Sequence, residues 1–223
     1  MSHISEMDVE AVVPVSSGHA ADGLYNRLFK RWFDLALILL SAPFVLPMVL
    51  MLGLVVRRDG GPAFYVQDRI GLDGRAFRLW KLRTMVTDAD ARLAADLAAN
   101  PALRAEWDET QKLKADPRIT PIGRLLRKAS LDELPQLWNV FRGDMSLVGP
   151  RPMLPEQRAL YPGRDYYAMR PGLTGPWQVS ERNETSFAGR AEFDSAYARR
   201  VSLPTDIAIM CMTVWVVLRG TGY

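Results

Sequence analysis

A chain of 223 residues that is 48% hydrophobic and carries a net charge of +3 accommodates a modest domain with its own core plus a membrane element. Both histidines, His3 and His19, lie in a polar N-terminal tail, and the one cysteine, Cys211, sits in the apolar run IAIMCMTVWVVL. This argues against histidine bases, thiol nucleophiles, zinc sites and disulfides. Carboxylates, Lys, Arg, hydroxyls and a hard oxygen-bound cation such as Mg²⁺ are left to carry any chemistry. No interleaving of aromatic and basic residues suggests a nucleic-acid partner, whereas the basic balance suits an anionic membrane face or a phosphorylated substrate.

The tail, residues 1–23, is expected to be disordered. After it, Leu35 to Val56 gives 22 residues without a charge, roughly 33 Å as a helix and enough to cross a bilayer core of about 30 Å. Pro43 and Pro47 interrupt this run, freeing the carbonyls of Leu39 and Pro43, and Ser41 is placed to recapture one with its hydroxyl. The flanks carry similar charge, with Arg27, Lys30 and Arg31 before the run and Arg57, Arg58, Arg69 and Arg75 after it. Two courses fit: a kinked span, or a re-entrant helix–break–helix over residues 24–58 that bends at Ser41, Pro43 and Pro47 and returns to the side it entered from.

Residues 59–223 read as a soluble, membrane-associated domain. Ala63–Ile70 and Ala76–Met85 are strand-like and joined by Gly71-Leu72-Asp73-Gly74, which predicts a β-hairpin. Alternation puts Phe77, Leu79, Lys81 and Arg83 on one face. The two cations are either charges at a frayed edge or phosphate ligands emerging from the core. Surface helices are predicted over Asp88–Ala99 and Pro101–Lys114. Another opens at Thr120-Pro121 and runs to about Lys128, with Arg124, Arg127 and Lys128 on one face.

The run from Ser130 to Pro152, SLDELPQLWNVFRGDMSLVGPRP, is the most charged and most informative. Ser130 and Glu133 have the spacing of a capping box, so Asp132 and Glu133 read either as first-turn acids complementing a helix dipole or as a catalytic pair. Near the C-terminus, a helix starting at Asp206 has about 13 residues, roughly 20 Å, which is too short to span and implies an interfacial or buried helix. Trp215 and the methionines there are expected in the core.

The strings KLRTM (Lys81 to Met85), DPRITPIGRLLRKASLDELPQLWNVFRGDMSLVGPRP (Asp116 to Pro152) and RPGLTGPWQV (Arg170 to Val179) closely resemble the bacterial sugar transferase family, the monotopic phosphoglycosyl transferases. The resemblance runs from about Tyr25 to Tyr223 and includes Phe33-Asp34, the GLDGRAFRLWK hairpin and the closing VVLRGTG. It implies an α+β, mostly helical fold with a small β-hairpin, an N-terminal re-entrant membrane helix and C-terminal interfacial amphipathic helices. Some members carry a large N-terminal extension, which is not expected here. The implied reaction moves a sugar-1-phosphate from a UDP-sugar to polyprenyl (undecaprenyl) phosphate, releasing UMP. This is the first membrane step of exopolysaccharide or O-antigen-type glycan assembly, at the cytoplasmic face of the bacterial inner membrane.

In residue terms, the resemblance implies Asp132 as nucleophile and Glu133 as its acidic partner, with Mg²⁺, or Mn²⁺ in its place, at Asp132. It also implies Lys81, Arg127 and Arg151 as phosphate ligands, to which proximity adds Arg83, and places Arg170 and Gln178 on the nucleotide side. Asp34 and the flanking arginines are expected to mark the membrane interface, and a homodimer is allowed. Where relatives have SGRNE this chain has SERNE, so Glu181 replaces a glycine and can alter a turn or the sugar preference. Two rival readings remain open at this point, a membrane-anchored adaptor without catalysis and a metal-dependent lipid phosphatase. The sugar is not specified.

Overall fold

The computed structural model describes residues 23–110, 113, 115–180 and 187–219. The tail with its histidines, Glu181 and the last residues of VVLRGTG lie outside the described residues. The first long element, α1 (Lys30–Val56), follows one π-helical turn at Tyr25–Phe29. It runs as a single helix with Pro43 and Pro47 inside it, rather than as two helices around an irregular break. Each proline deletes one donor while the bonds on either side persist. Ser41 Oγ donates to the Ile38 carbonyl at 3.1 Å, not to the Leu39 carbonyl that Pro43 frees.

Burial along α1 is confined to its ends, at Lys30, Asp34 and Ile38 and again at Gly53 and Val56. Between them Leu39, Leu40, Phe44, Leu46, Leu50 and Met51 are exposed. Among the described residues, Tyr25–Asp59 is the one helical stretch long and apolar enough to cross a membrane. Asp34, expected at the membrane interface, is buried within the protein. It is 2% exposed and accepts from Ser146 Oγ at 2.7 Å and Leu147 N at 3.3 Å.

The hairpin forms as expected, from β1 (Phe64–Ile70) and β2 (Ala76–Leu82), antiparallel with Tyr65 opposite Lys81, Gln67 opposite Leu79 and Arg69 opposite Phe77. Asp73 and Gly74 supply the left-handed conformations that reverse the chain. Strand β2 stops at Leu82, short of Met85. The surface helices follow as α2 (Ala89–Ala99) and α3 (Pro101–Thr110). Helix α4 (Pro121–Lys128) starts where Thr120 Oγ1 accepts from Gly123 N at 2.9 Å. Gly123 allows close approach, because a Cβ there would overlap the Thr84 carbonyl. Helix α5 (Gln136–Arg142) packs on β2 through Asn139, which accepts from Trp80 N at 3.1 Å and donates to Arg78 O at 2.7 Å.

A second, parallel pair, β3 (Ser146–Val148) and β4 (Gly172–Thr174), leads into α6 (Pro176–Val179), α7 (Arg190–Ala198) and α8 (Leu203–Leu218). Val148, Met169, Tyr197, Ala198 and Ile209 form the core between them. Helix α8 begins three residues before the expected Asp206, because Ser202 caps it and Pro204 occupies its first turn, where no amide donor is needed. Asp206 instead is buried beside Lys30. Trp215 is 51% exposed, so the expectation that it lies in the core is overturned. The outcome is a mostly helical α+β fold with small sheets.

Candidate active site

The dyad does not sit in a helix cap. Ser130 adopts a left-handed conformation, with φ 54°, and makes no side-chain cap. Leu131–Glu133 is a 3-10 turn, and α5 begins only at Gln136, behind Pro135. The predicted capping box is therefore absent for a tertiary reason, since the Glu133 carboxylate is drawn outward by cations on other elements. Lys81 Nζ donates to Glu133 Oε1 at 2.7 Å, and Arg151 Nη2 lies 3.7 Å from the same oxygen. Asp132 is 6% exposed. Its Oδ2 lies 3.9 Å from Lys81 Nζ.

Burial pushes the Asp132 carboxyl above the usual carboxylate range, with the Lys81 charge opposing the shift and the Glu133 charge adding to it. Arg127, on the inward side of α4, donates through Nε to Thr84 Oγ1 at 2.9 Å and adds positive potential at Asp132. Arg124 and Lys128, which share its helix, are exposed. The turn is thus an acidic pair held among Lys81, Arg127 and Arg151. A buried carboxylate so surrounded is poised to meet an electrophile already bound to those cations.

Three expected residues are placed elsewhere. Arg83 follows Lys81 by two residues but turns to the end of α1, donating to Pro62 O at 2.7 Å and Val56 O at 3.1 Å and pairing with Asp59. Its role in this structure is to clamp that helix end, not to face the dyad. Arg170 donates to Gly143 O at 3.0 Å, behind the C-terminus of α5. Gln178 is buried in α6, and neither side-chain polar atom has a hydrogen-bond partner among the described residues.

The cleft beside the dyad brings in residues that sequence reasoning missed. It is lined by Lys81, Glu133 and Arg151 together with Arg69 and Gln136. The first was findable. Arg69 shares a face with Lys81 once the hairpin register is set, whereas Gln136 opens α5 behind the 3-10 turn that holds Asp132, so no helical spacing links those two. No cluster of three or more His, Cys, Asp or Glu side chains able to hold a metal occurs among the described residues.

The family model for bacterial sugar transferases matches residues 25–220. A UDP-galactose-lipid carrier transferase of Erwinia amylovora is 51% identical over 199 residues, covering 88% of this chain and 42% of that protein. An undecaprenyl-phosphate galactose phosphotransferase of Salmonella typhimurium is 47% identical over 199 residues, with the same 88% and 42% coverage. The exopolysaccharide production protein ExoY of Sinorhizobium fredii is 44% identical over 196 residues and matched over 87% of its own length. The chain therefore spans less than half the length of the first two relatives and most of the third. With the dyad, its cationic frame and the apolar helix all inside the matched residues 25–220, this chain belongs to the bacterial sugar transferase family.

Proposed function

We propose that this protein transfers a sugar-1-phosphate from a UDP-sugar to undecaprenyl phosphate, through a covalent intermediate on Asp132. The observation that carries the reading is the buried Asp132 beside Glu133, ringed by Lys81, Arg127 and Arg151. Relatives named for undecaprenyl-phosphate galactose and glucose transfer support the substrate classes. In the first step an Asp132 oxygen bonds to the β-phosphorus, and the bond from that phosphorus to the bridging oxygen breaks, its electron pair leaving with UMP. In the second an oxygen of the lipid phosphate bonds to the same phosphorus, and the pair returns to Asp132. Lys81 and Arg151 hold Glu133 and balance the charge of the diphosphate, and Arg127 does so at Asp132.

Mg²⁺ fits this donor set, since it takes one or two carboxylates together with substrate phosphates rather than a dedicated protein cage. Asp132 and Glu133 would hold it, and it would offset the repulsion between carboxylate and diphosphate. Incubation with labelled UDP-sugar and no lipid should give a sugar-phosphate adduct that mass spectrometry maps to Asp132 and that UMP discharges. Steady hydrolysis without lipid and without adduct would establish a phosphatase instead, and no donor consumption at all an adaptor.

The acid limb of the reaction follows from the charges at Asp132. Only the ionised carboxylate attacks, and its pKa is raised, so the rate falls on acidification at a higher pH than an ordinary carboxylate would give. Lys81 opposes that shift. Lys81→Met should move the acid limb of kcat/KM to higher pH and lower the plateau, by about 10²-fold for the lost charge-assisted contacts. A limb that stays put would remove Lys81 from the field at Asp132.

A re-entrant α1 at the cytoplasmic face of the inner membrane is part of the same proposal. Both ends of α1 pack on one body: Ile38 joins the cluster of Leu79 and Val140, while Val56 and Leu52 join that of Leu82 and Leu126. A straight helix would separate Ile38 from Leu52 by about 21 Å, whereas Leu79 and Leu82 on β2 are about 10 Å apart. A helix crossing the bilayer would carry its far end away from that body. In a Cys211→Ser background, cysteines placed before Arg27 and after Arg58 should label from the same side of inverted vesicles. Labelling from opposite sides would replace the re-entrant course with a span.

A further inference from the structure

The cleft beside the dyad holds more positive charge than the dyad engages. Arg69 reaches it from β1, where Nη1 donates to Pro152 O at 3.1 Å and Nη2 to Gln67 Oε1 at 2.6 Å. Its Nε is buried without a hydrogen-bond partner among the described residues. Arg190, the first residue of α7, approaches along Trp177. Its guanidinium carbon lies 4.1 Å from that ring centroid, and the Arg151 guanidinium carbon lies 6.0 Å from the same ring. Among the described residues, Arg190 Nε is likewise buried and unpartnered, as is Nε2 of Gln136 on the cleft wall.

Among the described residues, no carboxylate lies within ion-pair distance of Arg69 or Arg190. Burial first, and then the Arg151 charge, push both guanidinium pKa values down to about 10, which leaves them cationic at neutral pH. Buried like charges with orphaned donors are costly in an empty protein and are balanced when an anion arrives. The carboxylates that act on them from further off are bonded elsewhere, Glu133, which opposes the shift at Arg69, to Lys81, and Asp194, which opposes it at Arg190, to Tyr161 Oη at 2.6 Å.

We propose that Arg69 and Arg190, with Gln136 Nε2, form one anion subsite that takes in turn the phosphate of the leaving nucleotide and the phosphate of the lipid acceptor. The assignment rests on the two-step reading given above and deepens it. Each displacement at phosphorus is in line, so the nucleotide leaves on the side opposite Asp132. The acceptor must then attack opposite Asp132 as well, from the place the nucleotide vacated. One cationic subsite on that side serves both steps, and no proton or further reactant is required.

The test uses Arg69→Gln, Arg190→Gln and the charge-keeping Arg69→Lys and Arg190→Lys in the full chain reconstituted in nanodiscs. UMP binding is measured by calorimetry, and acceptor KM and kcat by transfer. Each Gln variant should weaken UMP binding and raise acceptor KM together, by about tenfold or more. The Lys variants should recover most of both, and Arg92→Gln, on exposed α2, should change neither. Gln variants that melt like the wild type yet keep both quantities within twofold overturn the subsite. So does a change in the nucleotide alone or in the lipid alone, since a shared site must move both. If a Gln variant does not fold, Gln136→Leu leaves every charge in place and should weaken both by about threefold or more, and no change in either would overturn the assignment. Transfer that survived Asp132→Asn would refute the two-step reading, whereas an inactive Asp132→Asn beside indifferent Arg variants refutes the subsite alone.

Discussion

Asp132→Asn should abolish sugar-phosphate transfer, by about 10⁴-fold or more, while leaving the fold at least as stable as before. The loss follows from chemistry, because an amide oxygen is not a nucleophile toward phosphorus and cannot form the adduct, so exchange of labelled UMP into UDP-sugar should vanish with transfer. The gain follows from burial. The Asp132 carboxyl is raised above its unfolded value, so the folded state binds its proton more tightly than the unfolded chain does. That contribution to stability is full below the unfolded pKa and is lost as pH rises through the folded one, so at neutral pH the ionised side chain weakens the fold. A neutral isostere removes this cost, and its nearest cation, Lys81 at 3.9 Å, stays bonded to Glu133 at 2.7 Å. The melting temperature of Asp132→Asn at neutral pH should therefore equal or exceed that of the wild type. A variant that loses both activity and several degrees of stability would make Asp132 a structural residue instead.

The same residues show how much of the site could be read without coordinates. The hairpin was legible because Gly71 to Gly74 set its turn, and with it the register that carries Lys81. Applied further, that register also puts Arg69 opposite Phe77 and hence on the Lys81 face. Periodicity could not separate Lys81 from Arg83, because alternation puts both on one face and does not show that the strand ends between them. Their fates depend on what lies against the C-terminal end of β2, the dyad for Lys81 and Asp59 with the α1 terminus for Arg83. The capping box failed for a related reason. Ser130 and Glu133 have the right spacing, but a local cap competes with two cations that come from β2 and from the loop after β3, and those are stronger partners for a carboxylate. Asp34 and Asp206 looked like interface or helix-start residues because their partners, Ser146 and Lys30, lie 112 and 176 positions away. No window of sequence contains both members of such a pair.

The second of these pairs carries the other large effect. Asp206 is 1% exposed and pairs with Lys30, which is itself buried. It also accepts from Tyr197 Oη at 2.6 Å and Tyr25 Oη at 2.8 Å. Asp206→Ala would leave a buried ammonium without its counter-charge, holding only its 3.1 Å bond to Tyr197 Oη, and would take an acceptor from the Tyr197 and Tyr25 hydroxyls, at a cost of about 3–5 kcal/mol. For a chain of this size that should lower the melting temperature in nanodiscs by roughly 10 °C. The double variant Lys30→Met with Asp206→Leu should recover part of the loss, because it removes the uncompensated ammonium while the hydroxyls of Tyr197 and Tyr25 still lack the Asp206 acceptor. A single variant within about 2 °C of the wild type would show that solvent reaches Lys30. The pair has a functional consequence as well, because Lys30 begins the apolar α1 and Asp206 belongs to the first turn of α8, which packs under β3 and β4. It therefore ties the element that meets the bilayer to the body that holds the dyad. Below its melting point, Asp206→Ala should still form the adduct from the soluble donor, which needs only the dyad and its cations. Transfer to the lipid phosphate should fall much further, because the acceptor stays at headgroup height and the site would no longer be held there.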